Sequence, residues 1–212
     1  MIRILCYGDS NTHGTAPMRD ENDVVRFDAK TRWPGVMHAH LGQNFELIEE
    51  GHPGRTTVHD DPVEGPHKNG RSHLRATLES HWPLDVVIIS LGTNDLKSRH
   101  GVSAYDIASS IGTLVDLVRA TPMRGGPTPK ILVLAPPPII EAGWLADMFA
   151  GGQAKSELLG AYVARMAAGR QTAFLDLAPL AKSSPIDGIH FDESTHRVIG
   201  KAVAEAVEQL IA

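Results

Sequence analysis

The sequence predicts an α/β fold, a parallel sheet with helices on both faces, and three observations predict it. Short apolar runs alternate with longer amphipathic stretches along all 212 residues, the order that generates βαβ crossovers. One run, LDVVIISL at 84–91, is apolar on both faces, as a strand is at the centre of a sheet covered from both sides. No repeat, low-complexity tract or linker interrupts the chain, so one domain over residues 1–212 can bury a full core.

Taken in order, residues 2–7 (IRILCY) read as the first strand, ended by Gly8. Residues 31–42 place Trp33, Val36, Met37 and Leu41 on one side of a helix, and Pro34 suits its first turn. A second strand follows at 45–49 (FELIE), then a short helix at 71–82 and the central strand at 84–91. In the helix predicted over 104–121, Ile107, Ile111, Leu114, Val115 and Val118 fall on one face. The fourth strand is KILVL at 130–134, stopped by the prolines at 136–138. A helix at 153–169, a fifth strand at 172–177 (TAFLDL) and a closing helix at 193–211 complete the chain. The irregular segments 15–30, 56–70 and 136–152 each follow a strand, the second after a short turn. In an open parallel sheet ligands lie beyond the carboxyl ends of the strands, so the three segments should frame one cleft.

Composition narrows the function. Twenty Lys+Arg against 25 Asp+Glu give a net charge of −5, the wrong balance for a nucleic-acid partner. The single cysteine, Cys6, excludes an internal disulfide and a zinc site built on several thiolates; in an apolar strand it reads as packing. Eleven histidines invite a metal, but none form H-E-x-x-H, and His38 and His40 face apart on a helix. No metal and no cofactor is expected. No apolar run approaches the roughly 18 residues of a membrane span, and MIRILCYGDS is not a secretory leader. The expectation is a cytoplasmic protein with no membrane partner.

Four motifs carry chemistry. Gly8-Asp9-Ser10 follows the first strand; Ser10 there can point its hydroxyl into the cleft beside a backbone N–H, although alone the tripeptide reads as a helix cap. It is neither a P-loop nor a dinucleotide fingerprint. Asp187-Gly188-Ile189-His190 lies between the last strand and the last helix. Asp187 can hold the His190 ring by Nδ1, leaving Nε2 as a base; alone, the pair reads as an Asx turn and a surface histidine. Gly54, in GHPGRTT, can bring a backbone N–H close to a ligand oxygen, and Asn94, in GTND, offers a side-chain N–H donor. Each of these has a plainer reading as a turn or cap. All four nevertheless sit at strand ends on one edge of the sheet. Together they supply a nucleophile, an oriented base and three oxyanion donors (the Ser10 N–H, the Gly54 N–H and the Asn94 amide), which acyl transfer requires.

In that order the motifs resemble the four blocks of the SGNH (GDSL-type) serine esterase/acylhydrolase superfamily, over residues 6–196. The segments CYGDSNTHG, RFDAKTRWPGVM, LIEEGHPGRTT and HWPLDVVIISLGTNDLK are similar to bacterial arylesterases that also act as acyltransferases and perhydrolases. The resemblance implies a flavodoxin-like three-layer α/β/α fold with a five-stranded parallel sheet in the order 2-1-3-4-5. It also implies small acyl esters as substrates and a homo-oligomer such as an octamer. Asp9, His13, Thr15, Trp144 and Ile189 are then expected near the substrate pocket. Some relatives carry tryptophans at the positions of His13 and Thr15, lining a dry acyl pocket, so hydrolysis is expected to dominate over transfer here. Trp144, Leu145, Met148 and Phe149 line either the acyl pocket or an oligomer contact. Asp60 and Asp61 read as a solvated loop. Competing readings are a carbohydrate or lipid ester deacylase of the same superfamily and, outside enzymes, a flavodoxin-like binding module.

Overall fold

A computed structural model describes residues 1–212. Five parallel strands form one sheet in the order β2-β1-β3-β4-β5. They are β1 (Ile2–Gly8), β2 (Phe45–Gly51), β3 (Val86–Ser90), β4 (Lys130–Ala135) and β5 (Ala173–Asp176). The helices are α1 (Ser10–His13), α2 (Trp33–Leu41), α3 (Gly70–His81), α4 (Ala104–Ala120), α5 (Gly152–Gly169) and α6 (Glu193–Ile211).

Alternation along the strands builds the three layers. In β1, Leu5 and Tyr7 enter a core with β3 residues Val87 and Ile89, covered by Leu74 of α3, Ile111 of α4 and Leu159 of α5. Ile4 and Cys6 enter a second core on the opposite face, with Val86 and Ile88 of β3, covered by Met37 of α2 and Val203 of α6. Cys6 is fully buried packing, as expected.

Helix starts follow local chemistry. Ser103 and Asp106 form a reciprocal capping box on α4, and Asp192 caps α6 through the Thr195 N–H at 2.7 Å. The predicted elements are recovered, most with ends shifted by a residue or two. α1 has no counterpart among the predicted elements, because GDSNTH carries cap residues and no apolar periodicity. Register then sets the site. Gly8 pairs with Gly51 on one side and Ser90 on the other, so the loops after β1, β2 and β3 leave the sheet at one level.

One expectation is overturned. Asp61 is not in a solvated loop: it is 1% exposed, capped by the N–H groups of Val63 and Glu64 at 2.9 Å and ion-paired with Arg99 at 2.9 Å and Lys97 at 3.6 Å. A buried carboxylate requires such partners, and the two cations come from the loop after β3. Asp60, its neighbour, is exposed.

Candidate active site

Ser10 opens α1, the single turn that follows β1, with Asp9 as its cap. His190 sits between β5 and α6, 180 residues away, and the fold brings the two together: His190 Nε2 lies 3.1 Å from Ser10 Oγ. Its Nδ1 lies 2.6 Å from Asp187 Oδ2. Asp187 is fully buried. It accepts three backbone N–H bonds, from Ile189 and His190 at 3.0 Å and from Met18 at 2.8 Å. Burial pushes its pKa up, but the hydrogen bond and charge of His190 and these N–H groups outweigh that and hold it below the ordinary carboxylate value. An ionised Asp187 only accepts, which places the imidazole proton on Nδ1 and leaves the Nε2 lone pair facing Ser10.

Three donors face the same space. The N–H groups of Ser10 and Gly54 donate to no protein acceptor, and Asn94 Nδ2 is buried without one. Gly54 holds φ +77, a backbone conformation that strains any L side chain and favours glycine. The turns carrying these donors are tied together: buried Asp95, next to Asn94, accepts from the Thr57 N–H at 3.0 Å and from the Thr57 hydroxyl.

Ser10, His190, Gly54 and Asn94 line a cavity of about 300 Å³. Each of the three predicted segments contributes to its wall, through Thr15 and Met18, Val63 and Glu64, and Trp144 to Phe149. Trp144, Leu145, Met148, Phe149 and Ile189 are all lining residues. Asp9 and His13 are not. Asp9 points into the protein to accept from the Asn11 N–H at 3.0 Å, and burial raises its pKa to about 6 against that bond and the charges of His190 and Arg55. His13 sits one step behind the wall, its Nδ1 3.2 Å from the Thr15 hydroxyl. Glu64, Lys97 and Arg99, which form the charged side of the cavity, carry no sequence signal before the fold brings them together. A larger groove of about 780 Å³ lies between α5 and the start of α6 and contains no member of this constellation.

This fold and this array define an SGNH-type hydrolase. The GDSL-like lipase/acylhydrolase family model matches residues 6–198, and the chain belongs to that family of esterases. It is similar to the M. smegmatis aryl esterase, with a TM-score of 0.95, 40% identity, and 99% of this chain and 100% of that one covered. It is also similar to Est24, a carbohydrate acetylesterase from Sinorhizobium meliloti, with a TM-score of 0.95, 39% identity and the same coverage. A carbohydrate acetylesterase family member from the same organism matches with a TM-score of 0.93 and 34% identity, over 100% of this chain and 99% of that one. No curated protein sequence matches.

Proposed function

We propose that the protein is a serine esterase that hydrolyses small acyl esters through an acyl-enzyme on Ser10. One observation carries the reading: the Ser10–His190–Asp187 chain and three unpartnered donors converge on one cavity. Ser10 Oγ attacks the ester carbonyl carbon and its proton passes to His190 Nε2. The tetrahedral oxyanion accepts from the Ser10 N–H, the Gly54 N–H and Asn94 Nδ2. Collapse breaks the bond to the alcohol, which leaves with the proton from Nε2. Water then attacks the acyl-enzyme, again losing its proton to Nε2, and the acid departs as Ser10 regains a proton.

A cavity of about 300 Å³ is at the small end for ligand sites, which favours short acyl chains over lipid. The apolar wall of Met18, Val63, Trp144, Met148, Phe149 and Ile189 favours an aryl or alkyl alcohol over a bare sugar. The carbohydrate deacylase reading keeps support from the similarity to Est24. A panel of p-nitrophenyl esters from C2 to C12 beside acetylated sugars separates them. Ser10→Ala is expected to fold and to lose several orders of magnitude in kcat, and a fluorophosphonate should add one adduct to the wild type and none to the variant. Retention of most activity by Ser10→Ala would rule out the acyl-enzyme.

The same intermediate can pass its acyl group to hydrogen peroxide or an alcohol. Thr15 and the nearby imidazole of His13 keep this side of the cavity polar, so hydrolysis dominates in dilute alcohol. Partitioning between free acid and transfer product against graded acceptor measures this. Assembly with copies of itself is also expected. Ile140, Leu180 and Val198 are exposed together in the larger groove, and apolar groups so placed favour a partner surface. Light scattering after gel filtration gives the mass; a monomer at all concentrations would contradict it.

A further inference from the structure

The Gly54 turn contains a buried cation that the triad and the oxyanion donors leave unexplained. Arg55 is 6% exposed. Its Nη1 donates to the Gly8 carbonyl at 2.8 Å and to the Glu50 carbonyl, and its guanidinium carbon lies 4.1 Å above the Tyr7 ring. Its Nε is buried without an acceptor. No carboxylate pairs with it; Asp9 and Glu50 act on it only at longer range. Removing a guanidinium from water is costly, and buried arginines normally recover the cost from a carboxylate. This one faces main-chain carbonyls instead.

Those carbonyls are informative. Gly8 and Glu50 stand at the ends of β1 and β2, where Tyr7 pairs with Glu50 and Gly8 with Gly51. Gly8 leads directly into Asp9 and Ser10, and Glu50 leads into the turn through Gly54. One head group therefore grips the roots of both loops that present the backbone oxyanion donors. Tyr7, beneath it, is fixed by its hydroxyl to the Gly70 carbonyl at 2.6 Å. The surroundings also hold the buried carboxylate Asp187, kept ionised by its hydrogen bonds, whose charge opposes an oxyanion.

We propose that Arg55 is a positioning residue for the esterase reaction. Its guanidinium locks the Ser10 and Gly54 turns in register, and its unpaired charge favours the anionic tetrahedral state over the neutral ester. The proposal rests on the esterase reading. A neutral ground state gains nothing from the charge and the transition state does, so Arg55 acts on kcat and not on KM.

Two substitutions separate charge from hydrogen bonding. Arg55→Lys keeps a cation with a smaller head; Arg55→Gln keeps an N–H donor without charge. Expected losses in kcat are about tenfold for Lys and about 100-fold for Gln, with KM for p-nitrophenyl acetate within about threefold. Affinity for an alkylboronic acid, which becomes a tetrahedral anion on Ser10, should fall in parallel with kcat/KM. In Arg55→Ala, low millimolar guanidinium chloride should restore activity saturably, where ammonium chloride at equal ionic strength does not. If Arg55→Ala does not fold, the order of Lys and Gln decides. A Gln variant as active as the Lys variant, or boronate affinity unchanged while kcat falls, would overturn the proposal. Fluorophosphonate labelling of the wild type is the separate control, since its failure would remove the esterase reading itself.

Discussion

Asn94 can be probed by two substitutions that distinguish a missing hydrogen from an added charge. Its Nδ2 is buried, faces the cavity and has no protein acceptor. Asn94→Ala removes one oxyanion donor, a loss of about 10²–10³ in kcat. Asn94→Asp removes the donor and also sets a carboxylate against the developing charge, beside Asp95, which is already buried. The Asp variant should therefore be the slower of the two, with KM for a neutral ester little changed; the reverse order in steady-state kinetics would make Asn94 a packing residue. Asp187 has a second ranking. Asp187→Asn favours the wrong imidazole tautomer, by analogy up to ~10⁴ in kcat. It also turns amide hydrogens toward backbone N–H groups that now donate to the carboxylate. It should still cost less than His190→Ala, which removes the base. Comparison of kcat/KM for the two variants checks this, and an equal or larger loss in Asp187→Asn would reverse the roles of orienter and base.

Between elements, α2 and α6 approach closely at a glycine. A Cβ on Gly200 would lie 2.5 Å from Val36 Cβ and 2.9 Å from the Trp33 carbonyl oxygen. Alanine is the better helix former by about 1 kcal/mol, but overpacking against an immobile carbonyl costs about 1–3 kcal/mol. Gly200→Ala should thus lower the urea midpoint at unchanged m. Gly169, at the end of α5 with nothing within 4 Å of its Cβ position, supplies the contrast: Gly169→Ala should stabilise by up to about 1 kcal/mol. Neither glycine is distinguishable in the sequence, since each is one small residue in a helical stretch. What the sequence does carry is periodicity and strand-end chemistry. The apolar run of β1 and the stripe of α4 were legible because burial acts on nearly every residue of the run and on one face of the helix. Ser10, Gly54, Asn94, Asp187 and His190 were legible because each lies at a strand end in a recognisable motif. Neither the burial of Asp61 nor the role of Arg55 is legible in the sequence, because their partners are three-dimensional. Asp61 meets Lys97 and Arg99 from the loop after β3, and Arg55 meets the carbonyls closing two neighbouring strands.

Over the whole molecule, opposed buried groups determine how stability depends on pH. His196 packs edge-on against Phe27 and Phe191 and accepts from the Trp33 N–H at 3.2 Å. Burial lowers its pKa from 6.5 to about 4, against the pull of Asp192. His52 is lowered to about 4 as well, by burial and then by Lys68 and Arg55. His13 and His100 are shifted in the same direction, again chiefly by burial. As pH falls from about 6.5 toward 4, the unfolded chain binds protons at these histidines that the folded chain refuses, so stability is lost there. Asp9 acts oppositely. Its pKa is raised from 3.8 to about 6, so the folded chain binds a proton that the unfolded chain does not, and stability is gained as pH falls through 6. Asp95 is raised too. Carboxylates with lowered pKa, such as Asp187 and Glu64, add losses only at the acid end, as pH falls below the ordinary carboxylate range. Histidines outnumber raised carboxylates, so the net sign is a decline on acidification. Each net proton contributes a slope of about 1.4 kcal/mol per pH unit. Urea unfolding from pH 7.5 to 4 should show that decline. It should be steeper in Asp9→Asn, where an opposing group is gone and the amide oxygen can still cap α1, and shallower in His196→Gln. Parallel curves for the wild type and both variants, or stability that rises on acidification, would show that these groups do not determine the pH dependence.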